Sequence, residues 1–96
     1  MKIRSFAHKG LERLFIRADG RRLPLQYVDK LRKMLGFLEA MTDVDELRSL
    51  PVWRPHVLTG DRSDVWSLVV TRNWRLTFRV DRVEHELFDL DFEDYH

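Results

Sequence analysis

Trp74-Arg75-Leu76-Thr77-Phe78-Arg79-Val80 alternates apolar and polar side chains without a break, and this period of two marks a β-strand. Trp74, Leu76, Phe78 and Val80 fall on one side and Arg75, Thr77 and Arg79 on the other, so one face packs while the opposite face displays arginine. Immediately upstream, Val65 to Thr71 is apolar on both faces, the pattern of a central strand, and Arg72-Asn73 supplies the turn between the two. Downstream, a turn at Asp81 to Glu84 precedes another alternation, with Phe88, Leu90 and Phe92 expected on the packing side and Leu87, Asp89 and Asp91 opposite. His56 to Thr59, followed by the turn signal Gly60-Asp61-Arg62-Ser63, completes an antiparallel meander of about four strands.

The half of the chain that precedes this meander changes period. Ile3 to Phe6 fits a short edge strand. Leu11, Leu14, Phe15 and Ala18 then follow helical spacing, with Gly20 as the expected terminator. After the basic loop Arg21-Arg22-Leu23, Pro24 suits a first helical turn, and Val28, Leu31, Leu35 and Leu38 mark a longer helix running to about Met41. Asp29, Lys30, Arg32 and Lys33 form its solvated face. Phe37 points the same way and is expected to meet a partner. Asp43 to Leu50 reads as a short helical turn or loop closed by Pro51. The expected fold is α+β, with two N-terminal amphipathic helices on one face of the antiparallel sheet and the other face open.

Composition bounds this picture. At 96 residues with 44% hydrophobic content, residues 1–96 are expected to form one domain around one core. There is no Cys, which excludes disulfides and thiolate zinc sites and suits a reducing compartment. The first residues contain no long apolar run, so no membrane span is expected and the cytoplasm is the expected location. The formal net charge of +1 hides segments of opposite sign: residues 1–33 and 48–82 are basic, whereas Glu84, Glu86, Asp89, Asp91, Glu93 and Asp94 make the end acidic. Two readings follow equally well, internal pairing or a basic groove for a polyanion. Thirteen of the seventeen basic side chains are Arg, which suits planar recognition of phosphates and bases.

RNA carries its own nucleophile, the 2′-hydroxyl, so its cleavage needs a base, an acid and cations for the phosphorane, with no metal or cofactor. His56 starts the first meander strand and His96 ends the last, and the face that displays Arg75 and Arg79 lies between them. Tyr95 has the ring to stack on a base. Each residue also has a plainer reading. His56 suits an ordinary surface histidine, Arg75 and Arg79 suit cross-strand pairing with Asp89 and Asp91, and Asp94-Tyr95-His96 suits a frayed end.

Taken in order, Ser5-Phe6-Ala7-His8-Lys9-Gly10-Leu11-Glu12, Arg54-Pro55-His56-Val57-Leu58 with Gly60-Asp61, Asn73-Trp74-Arg75-Leu76-Thr77-Phe78 and the terminal Asp94-Tyr95-His96 resemble the HigB branch of the RelE toxins. The resemblance covers nearly the whole chain. It implies a RelE-like fold, messenger RNA cleavage in the decoding centre of the ribosome, and inhibition of translation and growth. It also implies a HigA-like helix-turn-helix antitoxin that binds the toxin and represses their operon, so that operator DNA is reached only through the antitoxin. Carried over by motif, His56, Arg75, Asp94, Tyr95 and His96 are the catalytic candidates. Arg54, Arg62, Arg72, Asn73 and Arg79 are the expected RNA contacts beside them. The implied roles are His96 as general acid, Asp94 or His56 as base, Arg75 as phosphate stabiliser and Tyr95 as a stacking group. Thr59 stands where the family often has Lys, and Arg62 or Arg54 is the expected substitute. Three rivals remain: a ParE-like toxin that binds DNA gyrase, a catalytically weak antitoxin-binding module, and metal hydrolysis through His56, Asp94 and His96, whose spacing is not compact.

Overall fold

In the computed structural model, which describes residues 1–95, the alternating strand is β4 (Trp74–Asp81), at the centre of a five-stranded sheet. Its neighbours are β3 (Val65–Val69) and β5 (Glu86–Asp94), both antiparallel to it, and the edges are β2 (His56–Val57) beside β3 and β1 (Lys2–Ile3) beside β5. Leu76 and Phe78 are fully buried, and they share one core with Trp66, Leu68 and Val70 from the β3 region. Leu11 and Leu14 of α1 (Lys9–Arg17) and Leu31, Met34, Leu35 and Leu38 of α2 (Leu25–Ala40) close over the same face. Both helices thus lie on one side of the sheet, and the α+β class expected from the sequence holds. Among the described residues no helix is long and apolar enough to cross a membrane.

Local chemistry sets the helix ends. His8 caps α1 through Nδ1, which accepts from the backbone N–H groups of Gly10 (3.0 Å) and Leu11 (3.3 Å) and so satisfies donors that the first turn leaves unpaired. Any Cβ at position 10 would stand 2.8 Å from the capping imidazole, which explains a glycine inside the first turn. The helix ends at Ala18, in the left-handed region at φ 54°, and not at Gly20; the N–H groups of Ala18 and Asp19 turn back to the Arg13 carbonyl. Gly20 instead admits Val28, whose methyl group would lie 2.8 Å from a Cβ there. α2 begins directly after Pro24 and ends before Met41, as the pattern predicts. Asp43 and Glu46 form a capping box that opens the 3-10 turn Val44–Ser49, and a second 3-10 turn follows at Pro51–Trp53.

Four expectations need correction. The sheet has five strands and is mixed, because β1 runs parallel to β5 with Lys2 beside Glu86 and Ile3 beside Leu87. This short strand covers the β5 edge, which would otherwise present unpaired backbone groups. The β5 alternation is also interrupted: Thr77 faces Asp91 while Arg79 faces Phe88, and Asp89 sits in the left-handed region at φ 53°. One extra residue in β5 inverts the parity, so Leu87 is buried in the core and Phe88 lies outside it under the Arg4 guanidinium, 4.5 Å from the ring centre. Phe37 is not presented to a partner, because Trp53 packs edge-on against it at 5.5 Å. Finally, β2 is only two residues long, although the Leu58 N–H still donates to the Val65 carbonyl at 2.8 Å.

Candidate active site

Register brings several of the candidate residues to the face of the sheet away from the helices. His56 is opposite Ser67, Ser67 opposite Thr77 and Thr77 opposite Asp91, while Arg75 lies between Val69 and Glu93 one step along. Directly opposed residues share a face. His56 therefore lies on the side of the sheet that carries Arg75 and Thr77. A cleft of about 490 Å³ opens on this side, lined by Arg62, Arg75, Thr77, Glu93, Asp94 and Tyr95 among others.

This face is less bare than the sequence implied. Ser67 and Thr77 are only 2% and 4% exposed, and both line the cleft together with Arg62 from the connection between β2 and β3. That connection contains the 3-10 turn Gly60–Arg62, and Arg62 reaches over the sheet to β5. Its Nη1 donates to Glu93 Oε1 at 3.0 Å and its Nη2 to Glu93 Oε2 at 2.6 Å. The Thr77 hydroxyl donates to the same carboxylate. Burial pushes the Glu93 carboxyl upward, but the hydrogen bonds from Arg62 and Thr77 outweigh it and hold the group below the ordinary glutamate range. The Arg62 guanidinium is raised in turn, chiefly by its hydrogen bond to Glu93.

Arg75 is fixed from two sides. Its Nη1 donates to the carbonyls of Thr71 (2.8 Å), Arg72 (3.1 Å) and Trp74 (3.2 Å), and its guanidinium lies over the Tyr95 ring at 4.2 Å. Tyr95 is not frayed: its backbone N–H donates to the Asn73 carbonyl at 2.6 Å, which extends the β4–β5 ladder past Asp94, although 60% of the residue stays exposed. A cation seated on an exposed ring offers both charge and a stacking surface.

The remaining candidates are dispersed around this centre. His56 is exposed, and its Nδ1 donates to the Arg54 carbonyl at 3.0 Å. A carbonyl only accepts, so Nδ1 carries the hydrogen, and Nε2 of the neutral ring keeps its lone pair. Arg54, at φ 45°, and Thr59 are exposed outside the cleft lining. Arg72 and Asn73 sit exposed in the β3–β4 turn. Arg79 pairs with Asp64 at 3.1 Å, and neither Arg75 nor Arg79 makes an ion pair with Asp89 or Asp91 among the described residues. Asp94 borders the cleft, but it is opposite Trp74 in register and so has the parity of the packing face and not that of Arg75. His96 lies outside the described residues. Among those described, no group of three or more His, Asp or Glu side chains gathers as a metal site.

Sequence reasoning missed Glu93, a carboxylate in the cleft lining that Arg62 and Thr77 both meet. The signal was the downstream alternation itself: with Leu90 and Phe92 inward, Asp91 and Glu93 fall on the face of Arg75, and the shift at Asp89 changes the parity of Leu87 and Phe88 alone.

Solved structures with this architecture define the class of fold. The YoeB/ParE toxin from Agrobacterium tumefaciens superposes with a TM-score of 0.58 at 19% identity, covering 97% of this chain and 99% of that one. A conserved hypothetical protein from Helicobacter pylori reaches 0.51 at 15% identity, covering 97% and 94%. At these identities the likeness concerns the α+β fold alone. Residues 4–96 match the family described as the RelE-like toxin of type II toxin-antitoxin system HigB, and the chain belongs to that family. A relative from Proteus vulgaris, Endoribonuclease HigB, is 37% identical over 94 residues, spanning 98% of this chain and 99% of its own.

Proposed function

We propose that this toxin is an endoribonuclease that cuts messenger RNA on the ribosome, with its open sheet face as the site. The observation that carries this reading is Arg75, anchored to the β3–β4 turn and stacked on Tyr95 at the cleft. A phosphate beside Arg75 is charge-stabilised, and Tyr95 supports the adjoining base. The 2′-hydroxyl attacks phosphorus, the 5′-oxygen leaves, and a 2′,3′-cyclic phosphate remains. His56 takes the hydroxyl proton, a role favoured over Asp94 by the Nδ1 bond that leaves Nε2 as the base. His96 gives its proton to the leaving oxygen, and Asp94 orients these groups. Arg62, together with Arg54, Arg72, Asn73 and Arg79 around the rim, contacts the RNA. No metal takes part in this chemistry.

Membership of a type II toxin family brings an antitoxin partner. We assign that partner as a HigA-like helix-turn-helix protein that alone contacts operator DNA, the place of action as the cytoplasm, and residues 1–96 as one acting domain. The gyrase-binding alternative gains nothing from a fold likeness at 19% identity.

Cleavage in a translation reaction, mapped by primer extension, tests the proposal. The parent protein is expected to cut translated messages at the A site, and His96→Gln to slow the cut by about a hundredfold or more, as loss of a general acid does. Antitoxin capture should survive the substitution. Messages left intact by the parent, or gyrase poisoning in their place, would contradict the proposal; parental cutting by His96→Gln would remove His96 as the acid.

A further inference from the structure

Glu93 poses a problem for a groove that receives a polyanion. It is an ionised carboxylate directly opposite Arg75 in the β4–β5 register, and alone it would repel the phosphate that Arg75 attracts. What compensates it is a residue 31 positions earlier in the chain, held bidentately. The pair is partly exposed, with side-chain accessibilities of 47% for Arg62 and 27% for Glu93, and a surface pair of this kind contributes little to stability. Its position tells more. The 490 Å³ cleft and an adjoining cavity of about 270 Å³ both have Arg62, Thr77 and Glu93 in their walls, so the pair is the bridge between the two halves of one groove. A second pair, Arg79 to Asp64, ties the same connection to β4 with the polarity reversed, the carboxylate now coming from the loop.

We infer that Glu93 is a positioning residue for RNA cleavage: with Thr77 it holds the Arg62 guanidinium across the groove, where Arg62 binds the RNA backbone facing Arg75. A guanidinium has five N–H donors, and Glu93 uses one on each terminal nitrogen, which leaves three to meet phosphate oxygens. Thr77, almost fully buried on the sheet, fixes the carboxylate from beneath, so the cation is set by the rigid sheet and not by its own loop. Glu93 is in this way the anchor that makes a loop arginine a defined part of the site. This inference rests on the proposed cleavage of RNA and adds a residue to it.

Single-turnover cleavage of messenger RNA on programmed ribosomes tests it, with rates at saturating toxin and half-saturating concentrations measured for the parent, Glu93→Gln, Glu93→Ala, Arg62→Ala and the Arg62→Ala/Glu93→Ala double variant. Melting temperature and antitoxin capture are read in parallel, and the Gln variant keeps an acceptor for Thr77 so that the sheet stays satisfied. Each single variant is expected to lose about tenfold to hundredfold in the saturated rate, the scale of a misplaced contact. The double variant should be no slower than Arg62→Ala, since an anchor has no effect once its cation is gone. A parent that leaves messages intact overturns the cleavage reading and this inference with it. If the parent cuts, Glu93 variants that cut as fast or faster overturn the inference alone, because Glu93 would then compete with phosphate for Arg62; additive losses in the double variant, or losses that track a fall in melting temperature, also overturn it.

Discussion

The two faces of β4 differ in kind although their residues alternate along one strand. Toward the helices, Leu76 and Phe78 have no exposed surface, and Phe78 stacks on Trp66 at 6.4 Å, so this side is held by apolar burial. Away from them, Arg75, Thr77 and Arg79 meet carbonyls, carboxylates and an aromatic ring. Apolar burial therefore holds one face, and the other displays the charged groups to which the proposed chemistry is assigned. Substitutions on the two faces should fail in different ways.

The largest stability effect is expected from Phe78→Ala, which should lower unfolding stability by roughly 3 to 5 kcal/mol as other large core truncations do. Chemical denaturation checks this, and a small loss would place Phe78 off the core face. Next comes the irregular strand. Leu87→Ala should cost about 2 to 5 kcal/mol, whereas Phe88→Ala, outside the core, should cost only about 1 kcal/mol. Equal costs, or the reverse order, would contradict the shift at Asp89 and restore the unbroken alternation.

That strand shows where sequence reasoning stops. β4 was legible because each residue obeys one period, and α2 because Val28, Leu31, Leu35 and Leu38 share a face and Pro24 stands before them. Leu87-Phe88 is compatible with two parities, and only packing against α1, α2 and β1 selects the one that buries Leu87. The left-handed residues Ala18 and Asp89 are likewise set by tertiary context, since Gly20 was the better terminator by propensity alone. In the site, Arg75 and Tyr95 could be foreseen from alternation and motif. The Arg62–Glu93 bridge could not, because it joins residues 31 apart across three strands, and the segmented charge left internal pairing and a basic groove equally open. His56 shares the expected face by register, and His96 lies outside the described residues.

The smallest stability effect is expected on the open face, and there the largest chemical one should appear. Arg75→Gln loses hydrogen bonds to exposed turn carbonyls and should change unfolding stability by about 1 kcal/mol or less. The decisive measurement is its rate of messenger RNA cleavage on the ribosome beside that of the parent. A fall of about a hundredfold to a thousandfold, as follows loss of a donor to transition-state charge, is the predicted result for a folded variant that still binds its antitoxin. Cleavage at the parental rate by that folded variant would contradict the placement of the chemistry on the open face of the sheet.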